Sequence, residues 1–158
     1  MTDTPATPAA AGLLRRLAAM LYDALLLLAL WMIVTALFLP FTGGEALRWT
    51  TAPALFVLHK LAMVAIVIGF YGVFWTRQGH TLGMASWRLQ LVRFDGGRPT
   101  WADTLRRLGA ALLSWVPAGL GWWWCLIDAR KRTWHDMLSH TRVELLPPRR
   151  RRGKTSAT

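Results

Sequence analysis

Leu17 to Leu39 reads LAAMLYDALLLLALWMIVTALFL, an apolar run of 23 residues broken by a single formal charge, Asp23, and entered through Arg15 and Arg16. At 1.5 Å rise per residue such a run is long enough to cross a bilayer as one helix. A carboxylate at a helix centre costs roughly 2.5 to 3.5 kcal/mol to insert, so Asp23 is expected to face a protein interior, find a partner, or neutralise. A second run, Pro53 to Trp75, meets the same length criterion and is interrupted only by His59 and Lys60. A chain of 158 residues that is 54% hydrophobic is one membrane domain by these signs.

Working outward, the tail over residues 1–12 is rich in Ala, Thr and Pro and is expected to be disordered. The first run is too long for a secretory leader and lacks a small-residue cleavage site, so it reads as an uncleaved membrane helix. The basic stretch over residues 147–158 is expected to form a disordered C-terminal tail, which leaves residues 13–146 as the membrane domain.

The single cysteine, Cys125, excludes an intramolecular disulfide and lies among Trp122, Trp123, Trp124 and Leu126, which suits a small buried apolar residue. Several of the ten tryptophans, Trp49, Trp75, Trp87, Trp101 and Trp134, fall at segment ends or in connections, where amphipathic rings favour the headgroup layer. The net charge of +11 clusters beside the apolar runs without a nucleic-acid motif, so the expected partners are anionic membrane lipids and no nucleic acid.

Charge also orients the chain. The link over residues 40–52 carries Arg48 against Glu45, whereas the stretch after the second run carries Arg77, Arg88, Arg93, Arg98, Arg106 and Arg107. By the positive-inside bias the N-terminus and the second connection are cytoplasmic, in a multi-pass protein of the inner cell membrane. A third apolar stretch, Leu108 to Ile127, creates a conflict. One crossing there would export nine cations, Arg130, Lys131, Arg132, Arg142, Arg149 to Arg152 and Lys154. Pro117, Gly119 and Gly121 interrupt that stretch, and proline removes a helix hydrogen bond.

The expected fold class is therefore all-α membrane protein. Two full spans (about 13–39 and 53–76) are joined by a short Pro/Gly-broken helical hairpin (101–115 and 118–129) that returns to the cytoplasm. The alternative is one kinked spanning helix over the third stretch. Alternating polarity in Trp87 to Arg93, with a counterpart in Thr141 to Leu145, predicts a small β-hairpin-like pair, which needs both segments on one side.

Arg16 and Asp23 are two helical turns apart on nearly one face. They are expected to converge with Arg106 or Arg107 and with Asp128 as a charge cluster from the cytoplasmic helix ends. Lys60 lies about 15 Å away in depth and is read as snorkelling outward, against the alternative of lining a path. His59 is read as a helix-packing residue, against a proton relay. Asp128 to Asp136 packs two carboxylates, three cations and His135 into nine residues; a metal site with His135, Asp136 and His140 is opposed by those cations, so a charge-compensated turn is expected. Ser86, Ser114 and Ser139 lack a nucleophile elbow, and no phosphate loop or dinucleotide fingerprint is present, so neither enzyme activity nor a cofactor is expected.

Three segments in order, Arg16-Leu-Ala-Ala-x-x-x-Asp23, Gly79-His-Thr-Leu-Gly-Met84 with Leu91-Val-Arg-x-Asp-Gly96, and Asp128 through Asp136 to His140-Thr-Arg-Val143, resemble the RDD family of small integral membrane proteins. The family is named for one arginine and two aspartates, and the likeness runs from about Leu14 to Leu145. It implies that Arg16 and Asp23 are signature residues, with Asp128 as the second aspartate and Asp136 as the less favoured claimant. It also implies transport of ligands, or cation/proton exchange as proposed for some members. Two functions stand side by side. One is a transporter that exchanges a small ligand or cation through Arg16, Asp23 and Asp128, in a homo-oligomer. The other is a non-enzymatic accessory or scaffold protein, its Arg and Asp residues structural and its basic face bound to lipid or a partner membrane protein.

Overall fold

The computed structural model describes residues 11–116, 120–128 and 132–146. It is mostly helical. α1 (Leu13–Phe38) runs into a short 3₁₀ turn (Leu39–Thr42), and α2 (Pro53–Arg77) returns beside it. Then come a one-turn helix α3 (Leu82–Ser86), strand β1 (Leu89–Arg93), α4 (Trp101–Trp115), α5 (Leu120–Ile127), a second one-turn helix α6 (Trp134–Leu138) and strand β2 (Thr141–Leu145).

Among the described residues the two long helices are the ones long and apolar enough to cross a membrane, and only 6% of the most apolar window of each is buried. That exposure separates them from the core helix of a water-soluble domain, whose apolar stripe is covered. They meet along a polar seam: Trp31 Nε1 donates to the Met63 carbonyl at 3.2 Å, and Thr35 Oγ1 lies 3.0 Å from His59 Nε2. Phe38 packs edge-on against the same imidazole. α2 ends because Gly79, at φ +76, takes the left-handed turn that closes the last carbonyls, with its N–H donating to Phe74 and Trp75.

β1 and β2 pair antiparallel in the register Leu89↔Leu145 to Arg93↔Thr141. The expected strands are both present, but the pair differs from a hairpin, because α4, α5 and α6 lie between them in the chain. A two-stranded ribbon is marginal alone, and this one is stabilised by its apolar face: Leu89, Leu91 and Val143 pack with Ala19, Trp75 and Met84. Ala11, placed by sequence in the disordered tail, is 1% exposed and its N–H donates to the Val143 carbonyl.

α4 starts at a capping box, in which Thr100 Oγ1 accepts the Asp103 N–H while Asp103 accepts the Thr100 N–H. It leans on α2 where Gly72 leaves room for the Trp101 ring. α4 and α5 are separate helices that fold back on each other; a Cβ on Gly121 would lie 2.6 Å from the Ser114 Cβ. The described part of α5, Leu120–Ile127, lies within the expected 118–129. The break expected at Pro117 to Gly119, the Ala129 end, and the tails over 1–10 and 147–158 fall outside the described residues.

Candidate functional site

At the end of the helix pair where α1 begins and α2 ends, one face of α1 presents Arg16, Ala19 and Asp23 at spacings of three and four residues. Each side chain grips a different piece of the small cap built from α3, α6 and the ribbon.

Asp23 is 2% exposed and accepts two hydrogen bonds, from the Thr81 hydroxyl at 2.5 Å and from the Gly83 N–H at 2.9 Å. Thr81 is the N-cap of α3, its oxygen accepting the Met84 N–H, so the carboxylate is attached to the first turn of that helix. The approach is close because residue 83 is glycine: a Cβ there would run into the Ala19 carbonyl and lie 2.8 Å from Asp23 Oδ1. Thr81 and Gly83 were within reach of sequence reading, since both sit in the Gly79–Met84 segment.

Arg16 does not meet Asp23. It is 6% exposed; its Nε donates to the Ala11 carbonyl at 3.2 Å and its Nη1 to Asp136 Oδ2 at 2.6 Å. The other oxygen of Asp136 faces Arg107 Nη2 at 2.7 Å, which makes Asp136, fully buried, the junction of two guanidinium groups. Asp136 also accepts the Thr133 N–H at 3.1 Å and closes the capping box of α6. Burial works against its charge, but Arg107 and then Arg16 outweigh burial and hold the carboxyl well below the ordinary carboxylate range. Arg107 reaches further, with Nη1 donating to Thr141 Oγ1 at 2.7 Å and its guanidinium 5.5 Å from the Trp75 ring. A single side chain thereby joins α4, α6 and β2 to α2.

The expected single cluster of Arg16, Asp23, Asp128, Arg106 and Arg107 is thus divided between two networks and two further ion pairs. Arg16, Arg107 and Asp136 come together; Asp23 joins α3 instead. Asp128 pairs with Arg132, at 2.9 Å from its Nε, at the end of α5. Arg106, 64% exposed, lies 3.8 Å from Asp103. The carboxylate seen against Arg16 is Asp136, the less favoured claimant for the second aspartate. The cause is geometric: α6 is one turn long, too short for a periodicity signal, and it carries Asp136 inward beneath α1.

His135 is 3% exposed, with the centroid of the Trp122 ring 4.3 Å away and its plane tilted by 53°. Burial first, and the Arg107 charge second, push its pKa down to about 3, so the imidazole is neutral. Its Nε2 lies 2.8 Å from the Thr133 hydroxyl, which also accepts the Asp136 N–H. His59 is occupied in the α1–α2 seam, and the Lys60 ammonium lies 5.3 Å from the Phe56 ring one turn nearer the start of α2. Among the described residues no group of three or more His, Cys, Asp or Glu could hold a metal. Cys125 is buried against the cluster.

Between α1, α2 and α4 lies an open cavity of about 890 Å³. Arg16, Asp23, Arg107 and His135 line one end, Trp31 and Lys60 the other, and Val64, Val67, Ile68, Leu108 and Leu112 the walls between.

No curated protein and no solved structure shows significant similarity to the chain. One family model, described as RDD family, matches residues 10–140, which takes in α1, α2, the hairpin, α6 and all three residues of the Arg16–Asp136–Arg107 junction. With two helices apolar and long enough to cross a membrane and that match over most of its length, this membrane protein belongs to the RDD family.

Proposed function

We propose that this chain is a non-enzymatic membrane accessory or scaffold protein whose Arg and Asp residues clamp a cytoplasmic cap onto a short helical bundle. The observation that carries this reading is Asp136, whose carboxylate is engaged by both Arg16 and Arg107 while it caps its own helix. A carboxylate held ionised by two cations is poorly suited to loading and releasing protons near neutral pH. Asp23, with both oxygens accepting from α3, serves as a fastening of the same kind.

The topology that goes with it has both termini cytoplasmic. The β1–β2 pairing supports this, because it holds the segment after α2 and the segment after α6 on one side. α4 and α5, at about 22 and 12 Å by helix rise, are each shorter than the roughly 30 Å apolar core of a bilayer. The basic face then lies against anionic headgroups.

The second reading, ion or ligand exchange, is favoured by one observation: the cavity is lined by Asp23 at one level and Lys60 at another. Reconstitution separates the two. The scaffold reading expects that Arg16→Ala and Asp23→Asn lower the amount of folded protein and that proteoliposomes carry no proton or alkali-cation flux dependent on Asp23. A flux that Asp23→Asn abolishes while the protein accumulates normally would overturn it.

A further inference from the structure

The charge network leaves polar atoms over at one end of the cavity. Among the described residues Trp75 Nε1, Trp122 Nε1 and His135 Nδ1 are buried without a hydrogen-bond partner, and all three residues line that space. Trp75 is 7% exposed and His135 3%. Asp136 Oδ1, behind the wall, is in the same condition, although Arg107 Nη2 stands 2.7 Å from it as an ion partner. The four residues are linked by a run of contacts. The Arg107 guanidinium is 5.5 Å from the Trp75 ring, Arg107 meets Asp136, Asp136 Oδ1 lies 3.9 Å from His135 Nε2, and the His135 and Trp122 rings are 4.3 Å apart. Unmatched buried polar groups are costly, so this set around one space points to a hydrogen-bonding group that the described residues do not supply.

The same neighbourhood selects the chemistry of that group. Arg16 and Arg107 stand against Asp23 and Asp136, so this end of the cavity is balanced, and the exposed Lys60 is about 22 Å from Trp75 by helix rise. A charged headgroup here gives up its water without meeting a counter-charge that is not already engaged, so an uncharged one is favoured. That group must accept from the indoles, which only donate, and must also suit His135 Nδ1, which on a neutral ring is either donor or acceptor. A hydroxyl meets both conditions, whereas a carbonyl meets one. The unmatched atoms are spread around the Arg107–Asp136 pair, so more than one oxygen is called for. Between Trp75 and Lys60 the walls are apolar, built from Val64 and Ile68 of α2 and Leu108 and Leu112 of α4. A free polyol leaves that length unfilled; one esterified to an acyl chain occupies it. α2 ends at Arg77 and α1 starts at Leu13, so Trp75 and Arg16 stand within one turn of those ends, on the side where a bilayer lipid keeps its own headgroup.

We propose that the cavity binds an uncharged glyceride from the bilayer, with glycerol hydroxyls on Trp75 Nε1, Trp122 Nε1 and His135 Nδ1 and the acyl chain along the α1–α2–α4 walls.

The test is equilibrium binding of radiolabelled monooleoylglycerol to the purified full chain in detergent. Its competitors carry the same acyl chain: lysophosphatidate, lysophosphatidylcholine, and methyl oleate, which lacks the hydroxyls; free glycerol is the fourth. The glyceride should bind at least about tenfold tighter than each of the other three lipids, and glycerol at equal concentration should not displace it. Removing both indole donors while keeping aromatic rings, Trp75→Phe with Trp122→Phe, should weaken the glyceride about tenfold and leave methyl oleate unchanged, so that the two converge. Ile68→Trp, which fills the apolar wall, should abolish binding of both. The comparison of ligands on the parent chain decides the matter should either variant fail to fold. A charged lysolipid or methyl oleate that binds as tightly as the glyceride, displacement by glycerol, or unaltered binding by a folded variant of either kind would each overturn the proposal.

Discussion

Replacing Asp136 by Asn keeps the side chain's shape and one acceptor, so the α6 capping bond from Thr133 N–H at 3.1 Å has a substitute. What is lost is the charge between Arg16 at 2.6 Å and Arg107 at 2.7 Å, two guanidinium groups only 6% exposed. Removing one partner of a buried ion pair commonly costs about 3 to 5 kcal/mol, because the remaining charge stays buried without compensation. Here two buried guanidinium groups lose the anion they share, which places the loss at the upper end of that range. Against a total stability of about 5 to 15 kcal/mol, the variant should accumulate poorly, and the fraction that folds should melt about 10 °C or more below the parent. Size-exclusion of detergent-solubilised protein after a temperature series reads both. Replacing all three members together, Arg16→Met, Arg107→Leu and Asp136→Leu, removes all three buried charges of the junction and should recover most of the loss. An Asp136→Asn protein as abundant and as heat-resistant as the parent would refute the claim that this junction holds the cap on.

Gly83→Ala puts a Cβ against the Ala19 carbonyl and 2.8 Å from Asp23 Oδ1, so α3 must lift away; cleavage of the 78–89 segment by added protease should accelerate severalfold, and unchanged protection would count against the close approach. Thr133→Ala removes the capping oxygen of α6 and should cost about 1 kcal/mol, read as a melting shift several-fold smaller than that of Asp136→Asn. His135, with its folded pKa lowered to about 3, stabilises the fold most above its unfolded value of about 6.5. That contribution falls as the pH drops below 6.5 and levels off near the folded pKa, so His135→Phe should flatten the acid limb of the stability curve between pH 6 and 4, and an identical limb would refute the assignment. Single cysteines placed after Leu145 in a Cys125→Ser background should be shielded from an impermeant thiol reagent in intact cells, as should cysteines before Leu13; labelling at either end alone would break the topology.

Much of the fold is legible because membrane length is a crude and strong signal. Leu17 to Leu39 and Pro53 to Trp75 need only a count of apolar residues, and the short strands show because alternation in 89–93 matches alternation in 141–145. The conflict between the positive tail and a third crossing pointed to two helices folded back on each other, and α4 and α5 are so arranged. The charge network was not legible in the same way. Spacing along α1 gives the common face of Arg16 and Asp23, but their partners come from α3 and α6, helices of five residues each, below the length at which periodicity says anything. The capping patterns Thr81 to Met84 and Thr133 to Asp136 were the available clues. Each strand is entered through a left-handed residue, Arg88 and His140, and those reversals decide which side chains turn inward.

The two aspartates differ in chain position yet perform one operation. Asp23, in the long apolar helix, reaches out to the first turn of α3; Asp136, in the cap, is reached by Arg16 from the same face of α1. Between them Ala19 is small enough for Gly83 to lie against its backbone. Polar groups that would be costly to insert alone are thus paired at the end of α1 nearest the cap, within about three turns of its start. This arrangement makes a specific demand on any transport cycle. Loading Asp23 with a proton or cation would weaken its bonds to Thr81 and Gly83 and so release α3, whereas the Asp136 junction would stay closed. An exchange mechanism would therefore be accompanied by movement of α3 against α1, and a disulfide between cysteines at Ala19 and Gly83 would stop it. A scaffold would tolerate that crosslink.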